Sequence, residues 1–130
     1  NFTARVKEIT GGKGVPVVYD SVGKSTWEGS LDSLRPLGMM VSFGNASGAV
    51  APFAIGTLAG KGSLFVTRPT LNTYIAARAD LEAAAASLFD VVKSGKVKID
   101  ISARYKLADA AQAHRDLEAR KTTGSIILVP

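Results

Sequence analysis

The chain has 130 residues, 46% of them hydrophobic and 21% charged, with a net charge of +5, which is the balance of a globular protein with a core and excludes disordered and fibrous classes. It contains no cysteine and a single histidine, His114, so disulfides, thiolate metal sites and a zinc centre built from its own His and Cys are excluded. The basic excess is scattered, which reads as a solvated surface with no nucleic-acid partner; no apolar run approaches the roughly 18 residues of a membrane span, and Asn1-Phe-Thr-Ala-Arg5 has neither an initiator Met nor a signal-peptide core, so the expectation is a cytoplasmic protein, no membrane partner, and a chain cut from something longer.

Residues 3–10 place Val6 and Ile9 three apart and stop at Gly11-Gly12, the last turns of a helix closed by glycine, so the chain is expected to begin inside an element. Val15-Pro-Val-Val-Tyr-Asp-Ser-Val-Gly23 follows, a short apolar run ending in Asp20-Ser21 and a glycine. Buried parallel strands deliver polar groups to a ligand crevice in this way. Ser25-Thr26 can cap a helix carrying Trp27, Leu31 and Leu34 on one face, closed by Pro36 and Gly38. Met39–Phe43 is a second strand and Ser63–Thr67 a third, and the three are expected to be parallel neighbours joined by short crossovers.

Between Gly44 and Gly62 lie small residues around one weak helical or extended piece; the position after an apolar strand favours a binding loop over an ordinary mobile one. From Asn72 or Thr73 to about Lys93 the spacing of Leu81, Ala84 or Ala85, Leu88 and Val91 or Val92 predicts one long helix whose stripe packs into a core, with Gly95 as terminator. Lys96–Ser102 alternates as a strand with one wet face. Asp109–Arg120 is an amphipathic helix with Ala110, Ala113 and Leu117 inward, and Gly124–Val129 is a closing buried strand.

The segments Val17-Val-Tyr-Asp-Ser-Val-Gly23, Val41-Ser-Phe-Gly-Asn45, Gly62-Ser-Leu-Phe-Val-Thr-Arg-Pro69, Ala110-Ala-Gln-Ala-His114 and Gly124-Ser-Ile-Ile-Leu-Val-Pro130, taken in order, resemble the C-terminal part of the zinc-independent quinone oxidoreductases, the zeta-crystallin-like members of the medium-chain dehydrogenase/reductase superfamily. The resemblance implies an α/β fold: the second half of a Rossmann doubly wound parallel sheet, strands four to six of the order 3-2-1-4-5-6, over residues 1–71. Residues 72–130 would then be the long helix and the segment that returns to a GroES-like catalytic domain. It also implies that much of the enzyme lies elsewhere, because no G-x-G-x-x-G phosphate turn occurs; Gly12-Lys-Gly14 runs directly into Val15-Pro16.

By the same resemblance, NADPH contacts fall on Ser21, Phe43, Gly44, Asn45, Ser47, Val66, Thr67 and Arg120. Ser21 would stand beside the adenosine half, Gly44 would let backbone approach, Phe43 and Val66 would wall the nicotinamide, main chain near Asn45, Ser47 and Thr67 would orient its amide, and Arg120 would offer a charged fork to phosphate or ribose. Residue spacing alone makes Arg120 a helix-surface partner of Asp116, Phe43 core filler, His114 structural and Asp20 the cap of a turn. The activity implied is NADPH-dependent reduction of a small-molecule quinone, with no metal and no assigned catalytic side chain. The partner implied is a second copy joined through the Ser63–Thr67 edge. Two other readings remain: an enoyl or alkenal reductase of the same superfamily, and a non-catalytic dimerisation or nucleotide-binding module.

Overall fold

In the computed structural model, which describes residues 1–130, helix α1 spans Phe2–Ile9, and the Asn1 side chain accepts from the Ala4 amide. Its end is closed as the glycines predict: the Gly12 amide donates to Lys7 O at 2.8 Å, and the Thr10 hydroxyl donates to Val6 O while accepting from Gly14 N. Strand β1, Val15–Asp20, follows, then helix α2, Trp27–Asp32, and strand β2, Leu34–Ser42. After the short helix α3, Gly56–Gly60, comes strand β3, Phe65–Thr67.

The three strands form one sheet in the order β1-β2-β3, and both pairings are parallel, as expected. Val17, Met39 and Phe65 stand in one cross-strand row and Val18, Met40 and Val66 in the next. The core lies on one side of this sheet, where Met40 meets Trp27, Leu31, Leu34 and Leu64, with Val15, Val18, Val50 and Leu58 packed against them. On the opposite side Val17, Tyr19, Met39 and Phe65 are exposed.

The boundaries depart from the sequence reading at three places in this unit. Helix α2 stops at Asp32 instead of running to Pro36, so Leu34 joins the core from a strand. Strand β2 starts early but is irregular: Val15 stands opposite Leu34 and Val17 opposite Met39. Pro36 and Leu37, the latter at φ 60, form that bulge. Strand β3 loses Ser63 and Leu64, because Ser63 adopts φ 56 and the Leu64 amide turns back to Leu58 O.

The chain divides into two compact units, Asn1–Tyr74 and Ile75–Pro130. The expected long helix is two helices, α4 at Leu71–Tyr74 and α5 at Arg78–Lys93, separated where Ala77 is extended. In the second unit α5 is followed by strand β4, Ile101–Lys106, a 3-10 turn at Leu107–Asp109, helix α6 at Ala110–Glu118 and strand β5, Ser125–Val129. Strands β4 and β5 pair in parallel. The strand expected at 96–102 therefore lies several residues later, and the residues expected on its covered face, Val97, Ile99 and Ile101, are exposed; within β4 only Ala103 and Tyr105 are half-buried.

A unit this small buries little. The α5 stripe read as core is mostly uncovered, with Leu88 at 56% exposure and only Ala85 and Val92 half-buried; on α6 Ala113 is buried, but Leu117, expected inward, is exposed.

Asp20 is the polar centre of the first unit, 4% exposed. One carboxylate oxygen accepts from Val22 N at 2.7 Å and Gly23 N at 2.9 Å, and the other from the Thr26 and Ser30 hydroxyls, each at 2.7 Å. Burial opposes its charge, yet the bonds from Gly23, Thr26, Ser30 and Val22 together bring its pKa below the usual aspartate value. A lowered carboxyl pKa supplies stability that is complete above the unfolded value of about 3.9 and is lost as pH falls through the folded one. Asp20→Asn is therefore expected to cost about 2 kcal/mol at neutral pH, with the gap to the unaltered chain narrowing below about pH 4. Urea unfolding midpoints across a pH series measure it.

Candidate functional site

The site grows from the carboxyl ends of β1, β2 and β3. The Asp20 carboxylate sets the turn after β1, placing Ser21 at the strand's end and Thr26 just ahead of α2. The loop leaving β2 is then laced along that turn. Phe43 N donates to Asp20 O at 2.9 Å, Ala46 N to Ser21 O at 3.2 Å, Ser47 N to Val22 O at 2.8 Å and Lys24 N to Gly48 O at 3.0 Å. The Ser47 hydroxyl donates to Val22 O and accepts from Ser25 N.

Such closeness requires glycine at two points. At Gly44 an added Cβ would lie 2.3 Å from Ser21 O, and at Gly23, φ +87, one would lie 2.7 Å from Gly48 O. Neither neighbour is a flexible side chain; both are backbone. Gly44→Ala must therefore displace the turn from the strand end, at an expected cost of about 1–3 kcal/mol, read as a drop in thermal midpoint.

On the β3 side, Arg68 reaches back across the sheet. One guanidinium nitrogen, Nη1, donates to Ser42 O at 2.9 Å and to Gly44 O at 3.3 Å. Arg68 and Val66, with Ser42 and Asn45, line one side of a cleft of about 550 Å³ whose other side is Trp27 and residues 49–53. The Trp27 and Phe53 rings stack at 5.0 Å between centroids, tilted by 47°, and the Trp27 indole N–H is buried with no acceptor. An apolar slot of this size with a few convergent polar groups is the usual form of a small-molecule site.

The residues singled out from the sequence divide accordingly. Asn45 and Val66 line this cleft. Phe43, Gly44 and Ser47 belong to the loop that closes it, Phe43 half exposed at 50% and Ser47 with its amide and hydroxyl both committed to the β1 turn. Thr67 is half-buried opposite Val41. Ser21 lines a separate hollow of about 260 Å³ with Tyr19, Thr26 and Phe2. Trp27, Phe53 and Arg68 were missed as site residues. For Arg68 a signal existed, since an arginine followed by Pro69 at a strand's carboxyl end puts a charged fork where the backbone ladder must stop.

Arg120 lies in the second unit, exposed, at φ 56. The surface pairing with Asp116 that spacing suggested does not form. Asp116 instead accepts from Gln112 Nε2 at 3.0 Å and the Tyr105 hydroxyl at 3.1 Å, and pairs with Lys121 at 3.3 Å. The Gln112 amide, then Lys121 and Tyr105, hold the Asp116 carboxyl below its ordinary value, while desolvation and the Asp116 charge push the Tyr105 hydroxyl up. Asp116, Tyr105 and Lys121 border a polar hollow of about 260 Å³ with Ser102, Thr122 and Thr123. Asp20 acts as the turn cap that its position suggested.

Residues 1–128 match the profile of one protein family, described as zinc-binding dehydrogenase. Donors for the metal in that description are not gathered here: the chain has no cysteine, and no group of three or more His, Cys, Asp or Glu lies together. The chain is 54% identical over 130 residues to a quinone oxidoreductase of Pseudomonas aeruginosa, covering all of this chain and 40% of that protein. It is 46% identical over 131 residues to a 2-haloacrylate reductase of a Burkholderia species, covering 39% of it. Among solved structures, Escherichia coli quinone oxidoreductase complexed with NADPH superposes with a TM-score of 0.91 at 53% identity, over 100% of this chain and 40% of that one. The chain thus spans about 40% of the length of the curated relatives it matches, and its parallel α/β architecture is that of their C-terminal, Rossmann-like part.

Proposed function

This chain belongs to the zinc-binding dehydrogenase family, and from that premise we propose that it supplies the C-terminal half of the cofactor cleft in an NADPH-dependent quinone oxidoreductase. The observation that carries the reading is the match, over the whole chain, to quinone oxidoreductases at 54–56% identity. Residues 1–71 are the second half of the cofactor-binding domain, and residues 72–130 lead back to the catalytic domain. The cleft suits the nicotinamide half of a dinucleotide: Gly44 pressed on Ser21 holds the loop backbone close, Val66 and Asn45 offer an apolar wall and an amide, and Phe43 stands beside them on the same loop. Ser47 and Thr67 hold main chain beside that wall, Ser21 meets the adenosine side, and Arg120 faces phosphate or ribose. Bound NADPH supplies the hydride; these residues orient it and keep water away. The acceptor is a quinone, and the enzyme is of the zinc-independent kind by its likeness to the quinone oxidoreductases.

The complete protein carrying this chain is expected to oxidise NADPH when a quinone is added, and residues 1–130 alone are expected not to, because orientation by both halves of the cleft is what such catalysis requires. In the complete protein Arg120→Ala should raise the KM for NADPH severalfold, by about the worth of one charge-assisted hydrogen bond, and Asp116→Ala should leave it unchanged. Equal effects of the two would remove Arg120 from the cofactor. The 46% identity to a 2-haloacrylate reductase favours one second reading, reduction of an activated alkene, and parallel assays with a quinone and a 2-haloacrylate as acceptor separate the two.

The protein works in the cytoplasm as a homodimer through residues 63–67, with help from residues 52–58. Strand β3 is an edge, Phe65 is 56% exposed, and no Lys or Pro within it blunts pairing. Sedimentation at several concentrations is expected to show a dimer, and Phe65→Lys a monomer; a monomeric unaltered protein at tens of micromolar, well above the dissociation constant of a stable dimer, overturns this interface.

A further inference from the structure

The segment from Ser42 to Asn45, whose two end residues line the cleft, is held from both sides, and the two sides are held differently. Toward β1, backbone serves: Phe43 N donates to Asp20 O. The carbonyl of Ser42, across the same peptide, therefore faces β3. In the β2–β3 register, Met39, Met40 and Val41 stand opposite Phe65, Val66 and Thr67. Extending it by two residues puts position 69 opposite position 43, where the next N–H of the ladder would reach Ser42 O. Position 69 is proline, which has no N–H to give. The Arg68 side chain fills the gap, and the two hydrogens of Nη1 go one to Ser42 O and one to Gly44 O.

We propose that Arg68 is a positioning residue for the cofactor: its guanidinium replaces the ladder donors that end at Pro69 and so fixes the segment that carries Ser42 and Asn45 into the cleft, where the nicotinamide half of NADPH rests. This deepens, and rests on, the functional reading above. Both bonds run from a cation to carbonyl oxygens, the stronger class of hydrogen bond. Pro69 also biases Arg68 to an extended backbone, which aims its side chain along the strand end and not back into a turn.

The test uses steady-state kinetics of the complete protein carrying this chain, with thermal unfolding alongside. Arg68→Ala is expected to raise the KM for NADPH about tenfold while kcat at saturating NADPH stays within about twofold. Arg68→Lys keeps a cation on a shorter reach and should recover part of that loss. Lys61→Ala serves as control, since Lys61 pairs with Glu28 and Asp32 between α3 and α2 and lines no part of the cleft. A purely architectural role for Arg68 would reduce the folded fraction, lowering kcat and leaving KM alone. That outcome, or an equal rise of KM in Lys61→Ala, overturns the proposal. If Arg68→Ala does not fold, Arg68→Lys decides: a wild-type KM in a folded Lys variant overturns it. Failure of the unaltered protein to use NADPH is a different result, for it removes the functional reading itself, whereas unchanged KM in the variants with an active parent removes only the role of Arg68.

Discussion

The carboxylate of Asp20 is the fixed point on which the first unit is built. It lies at the end of β1 with four donors, two from the turn that follows and two from hydroxyls at the start and middle of α2. A charge taken out of water is tolerable only when so surrounded. Because the carboxylate belongs to the strand and its donors to the turn and the helix that follow, satisfying the charge also orders the three pieces. Strand, turn and helix acquire one geometry, and the loop after β2 inherits it through the bonds to Ser21, Val22 and Lys24.

Function and architecture share atoms here to a degree that leaves few polar groups idle. The amide and hydroxyl of Ser47 and the carbonyl of Gly44 are all engaged in holding loop to strand end. What remains for a ligand is shape: a slot with Trp27, Phe53 and Val66 on its walls and Asn45 and Arg68 at its polar margin. Such a site suits a cofactor that brings its own reactivity and asks the protein chiefly for orientation.

The three parallel strands were legible because each is a short, continuous apolar run closed by glycine or polar residues, although one side of the sheet is exposed at Val17, Tyr19, Met39 and Phe65. Their ends were less so. Nothing in Leu34-Arg-Pro-Leu-Gly38 reveals that β2 begins before its proline, since the bulge depends on pairing with Val15. The break between α4 and α5 falls in Ile75-Ala-Ala77, where neither Gly nor Pro marks it and helix propensity runs the other way. Alternation misplaced the span of β4 and its covered residues, Val97, Ile99 and Ile101 all being exposed, because span is set by the partner strand: Ser125 N meets Asp100 O, and pairing begins at Ile101. In the site, the loop residues were reached through their motif. Trp27 and Phe53 were hidden by distance in sequence, as was the role of Arg68, which becomes visible only once β3 is known to lie beside β2.

One aromatic contact gives the chain a built-in optical reporter. Trp27 is the sole tryptophan among 130 residues, it is anchored in the core, and Phe53, on the same side of the cleft, leans against it. Emission from the chain therefore comes from a single indole in a dry setting, sensitive to the segment that covers it. A displacement of residues 49–53 that let water reach the ring would move its spectrum to the red, so the covering of this indole can be read without attaching a dye.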